Sequence, residues 1–345
     1  MAQSATPVYS TAQEGETIHQ LDINHTAPGT IGHYWLHLID NALGEPIRLP
    51  VLVARGKTPG AVLGITAAIH GNELNGIPII QQLFASVDVQ QLRGTVVAVP
   101  VVNIPGFLQK QRTFNDNEDL NRIAPGKPKG NRSQLYMHRL VERLLPAFEY
   151  LIDLHTASFG NVNSVYVRAD LGQAPTNRMA HLLNPEIILN NAPKENTWRG
   201  AAAQRGIQAV TIELKNPYVF QESVVEEAVV GVCNILFDLN MLEGTIQHQR
   251  PSLIHCVQSY WLYTEEGGIL KVFPEANAHI QKDQRIAEVR SVFGKLIREY
   301  FAPEDGVVIG KSVNPVNQSG SRILHLGVQP QEVSIEAILS DKTSK

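Results

Sequence analysis

Cysteine is nearly absent from this sequence. Only Cys233 and Cys256 occur among 345 residues, and they are far apart. Two such thiols offer no disulfide framework and read as reduced cysteines of a cytoplasmic protein. An excess of positive charge is also missing. Lys and Arg number 29 against 33 Asp and Glu, a formal net charge of -4. That balance argues against a nucleic-acid partner. No apolar run is long enough to span a bilayer. The opening residues, MAQSATPVYSTAQEGETIHQ, have neither the basic start nor the apolar stretch of a secretory leader. The expectation is a cytoplasmic protein with no membrane partner. Internal repeats and low-complexity segments are absent too.

What is present is an ordinary globular balance, 43% hydrophobic and 18% charged. The length suffices for a full core and two domains. HYWLHLI and IRLPVLVA read as strands separated by the turn cluster DNALGEP. GAVLGITAAI, GTVVAVPVVN, YLIDLHT and GIQAVTIEL read as buried strands. Between and after them lie helical segments. ELNGIPIIQQLFASV spaces Leu74, Ile77, Ile80 and Leu83 on one face, with Pro78 near its start. SQLYMHRLVERLLPAF is amphipathic, with Ser133 as N-cap, and SVVEEAVVGVCNILFDLNML closes the region. Near-continuous apolar strands alternating with helices predict an α/β domain, its mixed sheet largely parallel and flanked by helices. Beyond about residue 248 helical periodicity stops and short punctuated strands follow, predicting a small all-β domain. The predicted division is 1–248 and 249–345.

Ligands of such sheets bind outside the carboxyl ends of the strands. His70, Asn103, His155 and Glu213 lie at or near those ends. His70 and Glu73 in AAIHGNELNG, taken alone, read equally as a polar turn. His155 alone reads as a hydrogen-bonded core residue. Together, two imidazoles and a carboxylate make the ligand set of an open zinc site. The third ligand lies 82 residues on (155 − 73), which suits two neighbouring strands of one sheet. Glu213, closing AVTIEL, fits a general base, or equally a solvated loop residue. RTFNDNEDLNRIAPG is polar and carries two arginines. Its Arg122 beside Asn121 suits a carboxylate grip, Arg112 a developing negative charge, and Asp119 the second nitrogen of a ligand histidine. The alternative there is a charged surface loop.

The order His-x-x-Glu, Arg, Asp-x-Asn-Arg, DLH, then a glutamate ending TIEL resembles the zinc carboxypeptidase-like superfamily. Within it the chain looks most like the succinylglutamate desuccinylase/aspartoacylase family, over about residues 40 to 330. The resemblance implies that His70, Glu73 and His155 hold one Zn²⁺. It implies Glu213 as base and proton shuttle, and Arg112 as the group polarising the scissile carbonyl. Asn121 and Arg122 would hold a substrate carboxylate, and Asp119 would support His70. TWRGAAAQRGIQAVTIEL looks like the family's approach to the base, which adds Arg199 as a substrate contact. Many relatives place glycine after that glutamate, whereas Lys215 stands here, adding positive charge near the pocket. The C-terminal region resembles the barrel-sandwich module of biotinyl and lipoyl carriers. Lys311 lacks a carrier lysine's neighbours, so the module reads as structural, narrowing the active site.

The function implied is hydrolysis of the amide bond of a small N-acyl amino acid by metal-activated water. One alternative is a zinc carboxypeptidase acting on peptides or cell-wall fragments. Another is a non-catalytic metal-binding or regulatory protein. Homo-oligomerisation stays open. His138, His181, His279 and His325, and Trp35, Trp198 and Trp261, read as packing or surface residues. Glu226 and Glu227 read as an exposed helix face.

Overall fold

A computed structural model describes residues 15–334 of the chain. Most of the opening stretch read for a leader, residues 1–14, lies outside the described residues. Among the described residues, no helix is long and apolar enough to cross a membrane.

The predicted buried strands form the middle of an eleven-stranded sheet. Its central order is Pro46–Arg55, Arg93–Val99, Thr58–Ala67, Tyr150–His155, Gln208–Leu214, Val165–Ala169, Ile187–Asn190. The three strands that carry His70, His155 and Glu213 at or beyond their ends lie side by side and parallel. Antiparallel pairing enters at Val165–Ala169 and toward the N-terminal strands, so the sheet is mixed and mostly parallel. Alternate residues of each strand feed cores on opposite faces. Ile65, Ile152 and Ile212 pack with helices Gly76–Ser86, Ala174–Leu182 and Glu222–Asp238. Val97, Leu151 and Ala209 pack with helices Arg132–Leu144 and Trp198–Ala203. With both faces covered, the strands read as continuous apolar runs.

Several local expectations shift. The N-cap of Arg132–Leu144 is Asn131, not Ser133: Asn131 Oδ1 accepts from Gln134 N at 3.0 Å, and the Ser133 hydroxyl also turns to it. The closing helix begins at Glu222 and ends at Asp238, short of the predicted Met241 and Leu242. Helices Ala174–Leu182 and Trp198–Ala203 and strands Val165–Ala169 and Ile187–Asn190 were not anticipated. The helices are too short to show a clear period, and the strands sit in polar surroundings. Glu227 is not a bare solvent charge, since it pairs with Arg250 at 2.5 Å.

The C-terminal segment builds two small sheets around a shared core that includes Leu270, Val289, Val308 and Leu326. It is not separate from the large sheet. Ser252–Cys256 pairs with Ile187–Asn190, and Gln331–Ser334 pairs with Ser252–Cys256. In addition, Asn161–Asn163, just beyond His155, pairs with Gly306–Ser312 of the C-terminal segment. This contact carries the small sheets to the carboxyl ends of the central strands.

Candidate metal centre

The strand Thr58–Ala67 ends in a sharp turn. Ala68 adopts φ 51°, a left-handed conformation unusual for a residue with a Cβ. His70 O then accepts from Glu73 N at 3.1 Å, folding the two side chains toward each other. Gly71 lies against the helix Ile104–Leu108, where a Cβ would fall 2.1 Å from the Gly106 carbonyl carbon. Any larger residue there would push the turn off the sheet.

This turn and the end of Tyr150–His155 bring three donors together. One ligand atom from each of His70, Glu73 and His155 lies within 4.8 Å of the others, and all three residues are buried. Glu73 Oε1 is 2.8 Å from His70 Nδ1, and Oε2 is 2.9 Å from His155 Nδ1. Each imidazole turns its other nitrogen to a carboxylate. His70 Nε2 is 3.1 Å from Asp119 Oδ1, and His155 Nε2 is 2.7 Å from Asp153 Oδ2. An imidazole that donates its Nε2 proton presents a bare Nδ1 lone pair, which is what a cation requires. Two such nitrogens and a carboxylate fit a divalent metal of the zinc type.

The charges are strongly coupled. Burial alone would raise the Glu73 carboxyl, but His70 and His155 hold it far below the usual range. Burial likewise opposes charge on His155, yet Asp153 and then Glu73 raise its pKa well above normal. Asp119 is held low by His70, Arg112 and Arg122 despite its burial. A cluster that so favours positive charge beside Glu73 is suited to a cation.

Arg112 meets this cluster directly. Its Nη1 donates to Glu73 Oε1 at 2.9 Å and to Ser158 Oγ at 2.8 Å, and lies 3.2 Å from His70 Nδ1. Its other side is anchored by Asp119 Oδ2, at 3.0 Å from Nη2. Arg112 and Asp119 are therefore one unit: Asp119 holds His70 at Nε2, and Arg112 sits beside its Nδ1.

Glu213 is opposite His155 in the parallel pairing and opposite Tyr166 in the antiparallel one. Its carboxylate accepts from Asn163 Nδ2 at 3.3 Å and faces Arg168 Nε at 3.7 Å. Asn121 and Arg122 lie in a short turn, Leu120–Arg122, whose first residue is buried. Asn121 Oδ1 accepts from the Trp198 backbone at 2.8 Å, so its amide nitrogen is left for another partner. Arg199 is buried and donates to Asn191 O and Oδ1 at 2.9 and 2.7 Å. Burial, then the nearby Arg168 charge, lower its pKa to about 10.

These residues open onto one cavity of about 450 Å³, within the range of small-molecule sites. His70, Glu73, His155, Arg112, Asn121, Arg122, Arg199 and Glu213 all line it, while Asp119 stands behind them. The C-terminal segment supplies Ser259, Tyr260, Trp261, Arg322 and His325 to the same wall. Trp261 and His325 thus belong to the pocket and are not remote packing residues. His325 stacks on Trp261 with centroids 5.0 Å apart, and Arg322 lies over the Trp261 ring at 4.5 Å. Their distance along the chain hid this, since nothing near them in sequence marks a site. Lys215 behaves otherwise than expected. Its Nζ pairs with Glu186 at 3.0 Å, and it is not among the cavity-lining residues. Asp153 and Arg168 also went unread, although a charged residue inside an otherwise apolar strand was the available signal.

Comparison with known proteins gives the fold and the family. A curated relative from Halomonas elongata, an N-alpha-acetyl-L-2,4-diaminobutyric acid deacetylase, is 26% identical over 286 residues, covering 79% of this chain and 83% of its own. The product-bound ectoine utilization protein EutE (DoeB) from Ruegeria pomeroyi shares the fold with a TM-score of 0.79 at 20% identity, covering 94% of this chain and 98% of that one. A succinylglutamate desuccinylase/aspartoacylase from Rhodobacter sphaeroides gives 0.79 at 19% identity, covering 91% and 98%. Residues 59–238 match the succinylglutamate desuccinylase/aspartoacylase catalytic domain, a span that carries every residue of the proposed metal cluster and its base, and the chain belongs to that family.

Proposed function

We propose that the protein is a zinc-dependent deacylase that hydrolyses the amide bond of a small N-acyl amino acid. The observation that carries this reading is the meeting of three buried donor atoms within 4.8 Å, with Glu213 in register beside His155 on the same cavity. His70, Glu73 and His155 would hold one Zn²⁺. Bound there, zinc supplies Lewis acidity and brings the pKa of its water down toward ~7.

The remaining work falls to the chain's own side chains. Glu213 accepts the proton of the attacking water and returns it to the leaving amine. Asn163 and Arg168 hold its carboxylate in place. Arg112 offers positive charge at the attacked carbonyl. Asn121 and Arg122 grip the substrate carboxylate, with Asn121 fixed through Trp198. Arg199 shapes the far wall. The C-terminal region, residues 249–345 in this division, narrows the mouth through Tyr260, Trp261 and Arg322. That wall favours small substrates over peptides, against the carboxypeptidase alternative.

Pocket charge refines the substrate class. Among the described residues, Arg122, Lys194, Arg199 and Arg322 line the cavity without a carboxylate in ion-pair contact, with Glu195 as an opposing charge on the same lining. One such cation suffices for an amino-acid carboxylate. Several favour a substrate carrying further negative charge on its side chain or acyl group. The Halomonas relative is named for a diaminobutyric compound, which carries a second amine instead.

The test is amine release from a panel of N-acetyl and N-succinyl amino acids, with zinc-loaded and chelator-treated protein. Zinc-dependent turnover is expected, strongest for acidic members. A panel left intact by the zinc-loaded protein, while short peptides are trimmed, would replace this reading with the carboxypeptidase one.

A further inference from the structure

Three residues behind the metal cluster form a buried chain of hydrogen bonds that ends on His155. Trp198 Nε1 donates to Thr66 Oγ1 at 3.1 Å. Thr66 Oγ1 donates to Asp153 Oδ1 at 2.8 Å. Asp153 Oδ2 is 2.7 Å from His155 Nε2. Trp198 and Thr66 are fully buried, Asp153 is 1% exposed and His155 4%. Two pieces of the fold converge to make it. Thr66 faces Asp153 in the register of neighbouring parallel strands, and Trp198 opens the helix Trp198–Ala203.

The order of donors in this chain is forced. An indole nitrogen can only donate, so Thr66 Oγ1 must accept there. The single hydroxyl proton of Thr66 is then free for Asp153. An ionised carboxylate that accepts the Thr66 hydrogen bond at Oδ1 can only accept at Oδ2 as well, so His155 must donate through Nε2. In this structure Nδ1 donates as well, to Glu73 Oε2; were a metal to displace that proton, the one held by Asp153 would stay on Nε2 and leave the Nδ1 lone pair toward the cluster. Valine at position 66 would fill the same space but could neither accept nor donate.

We propose that Trp198 and Thr66 are positioning residues of the metal centre, acting through Asp153 to fix the tautomer and orientation of His155. This rests on the reading that His155 ligates a metal, and it reaches residues with no contact to the metal or the cavity. Trp198 also ties the two halves of the site together. Its backbone N–H holds Asn121, while its indole N–H starts the chain to His155. An N–H on one residue thus serves the substrate side, and another serves the metal side.

The experiment measures zinc affinity by chelator competition for the full chain and its Thr66→Val, Thr66→Ser, Trp198→Phe and Thr66→Val/Trp198→Phe variants. Losing outer hydrogen bonds of a ligand histidine weakens metal binding by about 10- to 100-fold. Thr66→Val and Trp198→Phe are therefore expected to weaken zinc binding about tenfold or more, and Thr66→Ser to match wild type. Because Trp198 acts through Thr66, the double variant should bind no more weakly than Thr66→Val. If Trp198→Phe fails to fold, the Thr66→Val and Thr66→Ser pair decides alone. Thr66→Val protein that binds zinc as wild type does would overturn the inference and leave the metal reading standing. Wild-type protein that takes up no zinc would overturn both.

Discussion

Glu213 stands directly opposite His155 in the parallel pairing of two central strands. The shared register puts a carboxylate and an imidazole on one face of the sheet, about one strand spacing apart. On the proposed reading, Glu213 takes a proton from water at the cluster without being part of it. Glu213→Gln should keep zinc uptake and lose turnover by roughly 10²- to 10⁴-fold. Metal content and amine release, measured on the same preparation, check it. Near-normal turnover would remove Glu213 from the mechanism.

Metal removal should cost stability as well as activity. The three donors are buried and come from distant parts of the chain, so the unfolded state offers no such site. A ligand bound only by the folded state raises its melting temperature. Zinc added to chelator-stripped protein should raise Tm, and Glu73→Gln should abolish that rise. A calorimetric scan with and without zinc is the measurement.

Arg322 is held over Trp261, with its charge free for the cavity. A hydrogen bond to a charged partner contributes about 1.5–3 kcal/mol, or roughly 10- to 100-fold. Arg322→Ala should lower kcat/KM by that factor for substrates with a second carboxylate. It should spare those with a neutral or cationic tail. Equal losses across matched N-acetyl amino acids would assign Arg322 to packing only.

Lys215 adopts φ 58° and points its amine at Glu186. The left-handed backbone costs a lysine about 1–2 kcal/mol more than a glycine. The part-exposed ion pair returns roughly 0–1 kcal/mol. Lys215→Gly should therefore leave stability within about 1 kcal/mol or raise it slightly, with substrate preference unchanged. Urea unfolding together with the substrate panel tests both halves.

A histidine pair gives stability a dependence on pH away from the active site. His181 Nε2 lies 2.9 Å from His255 Nε2, and His181 Nδ1 donates to Asn177 O at 2.8 Å. His181 must then accept from His255, and both are neutral. Burial, then the charge of His181, push the pKa of His255 down to about 4, while burial also lowers His181. Arg178 and His248 add to the positive surroundings of His181. Both folded values lie below the unfolded value of about 6.5, so the unfolded chain takes up protons first. This contribution is complete above pH ~6.5 and is lost as pH falls toward 4. Tm should drop over that window, and His255→Phe should flatten the drop.

The sequence made the centre legible because the chemistry interrupts an apolar pattern. Strands that run AVLGITAAI and YLIDL and then stop on His70 and His155 announce their ends, and the parallel sheet follows from the same runs. The residues behind the His70, Glu73 and His155 cluster were not legible. Asp153 lies inside a strand, and its partner Thr66 is contributed by another strand 87 residues away. Trp261, Arg322 and His325 reach the cavity through long-range strand pairings such as that of Asn161–Asn163 with Gly306–Ser312. No local pattern encodes a pairing across 150 residues. Lys215 shows the converse: a place two residues after Glu213 suggested a pocket charge, but a left-handed turn sends its side chain to Glu186.

The C-terminal excursion departs from the edge of the large sheet at Ser252–Cys256 and docks again beside it at Gln331–Ser334. A flap moored at both ends, and laced a third time through Asn161–Asn163, cannot swing aside without tearing a ladder. Entry and exit must then proceed through the fixed mouth, by rotation of side chains such as Arg322. Phe293, 95% exposed at the tip of a hairpin far along the excursion, bears none of that mooring. Nicking the chain there should leave the gatehouse standing and catalysis intact.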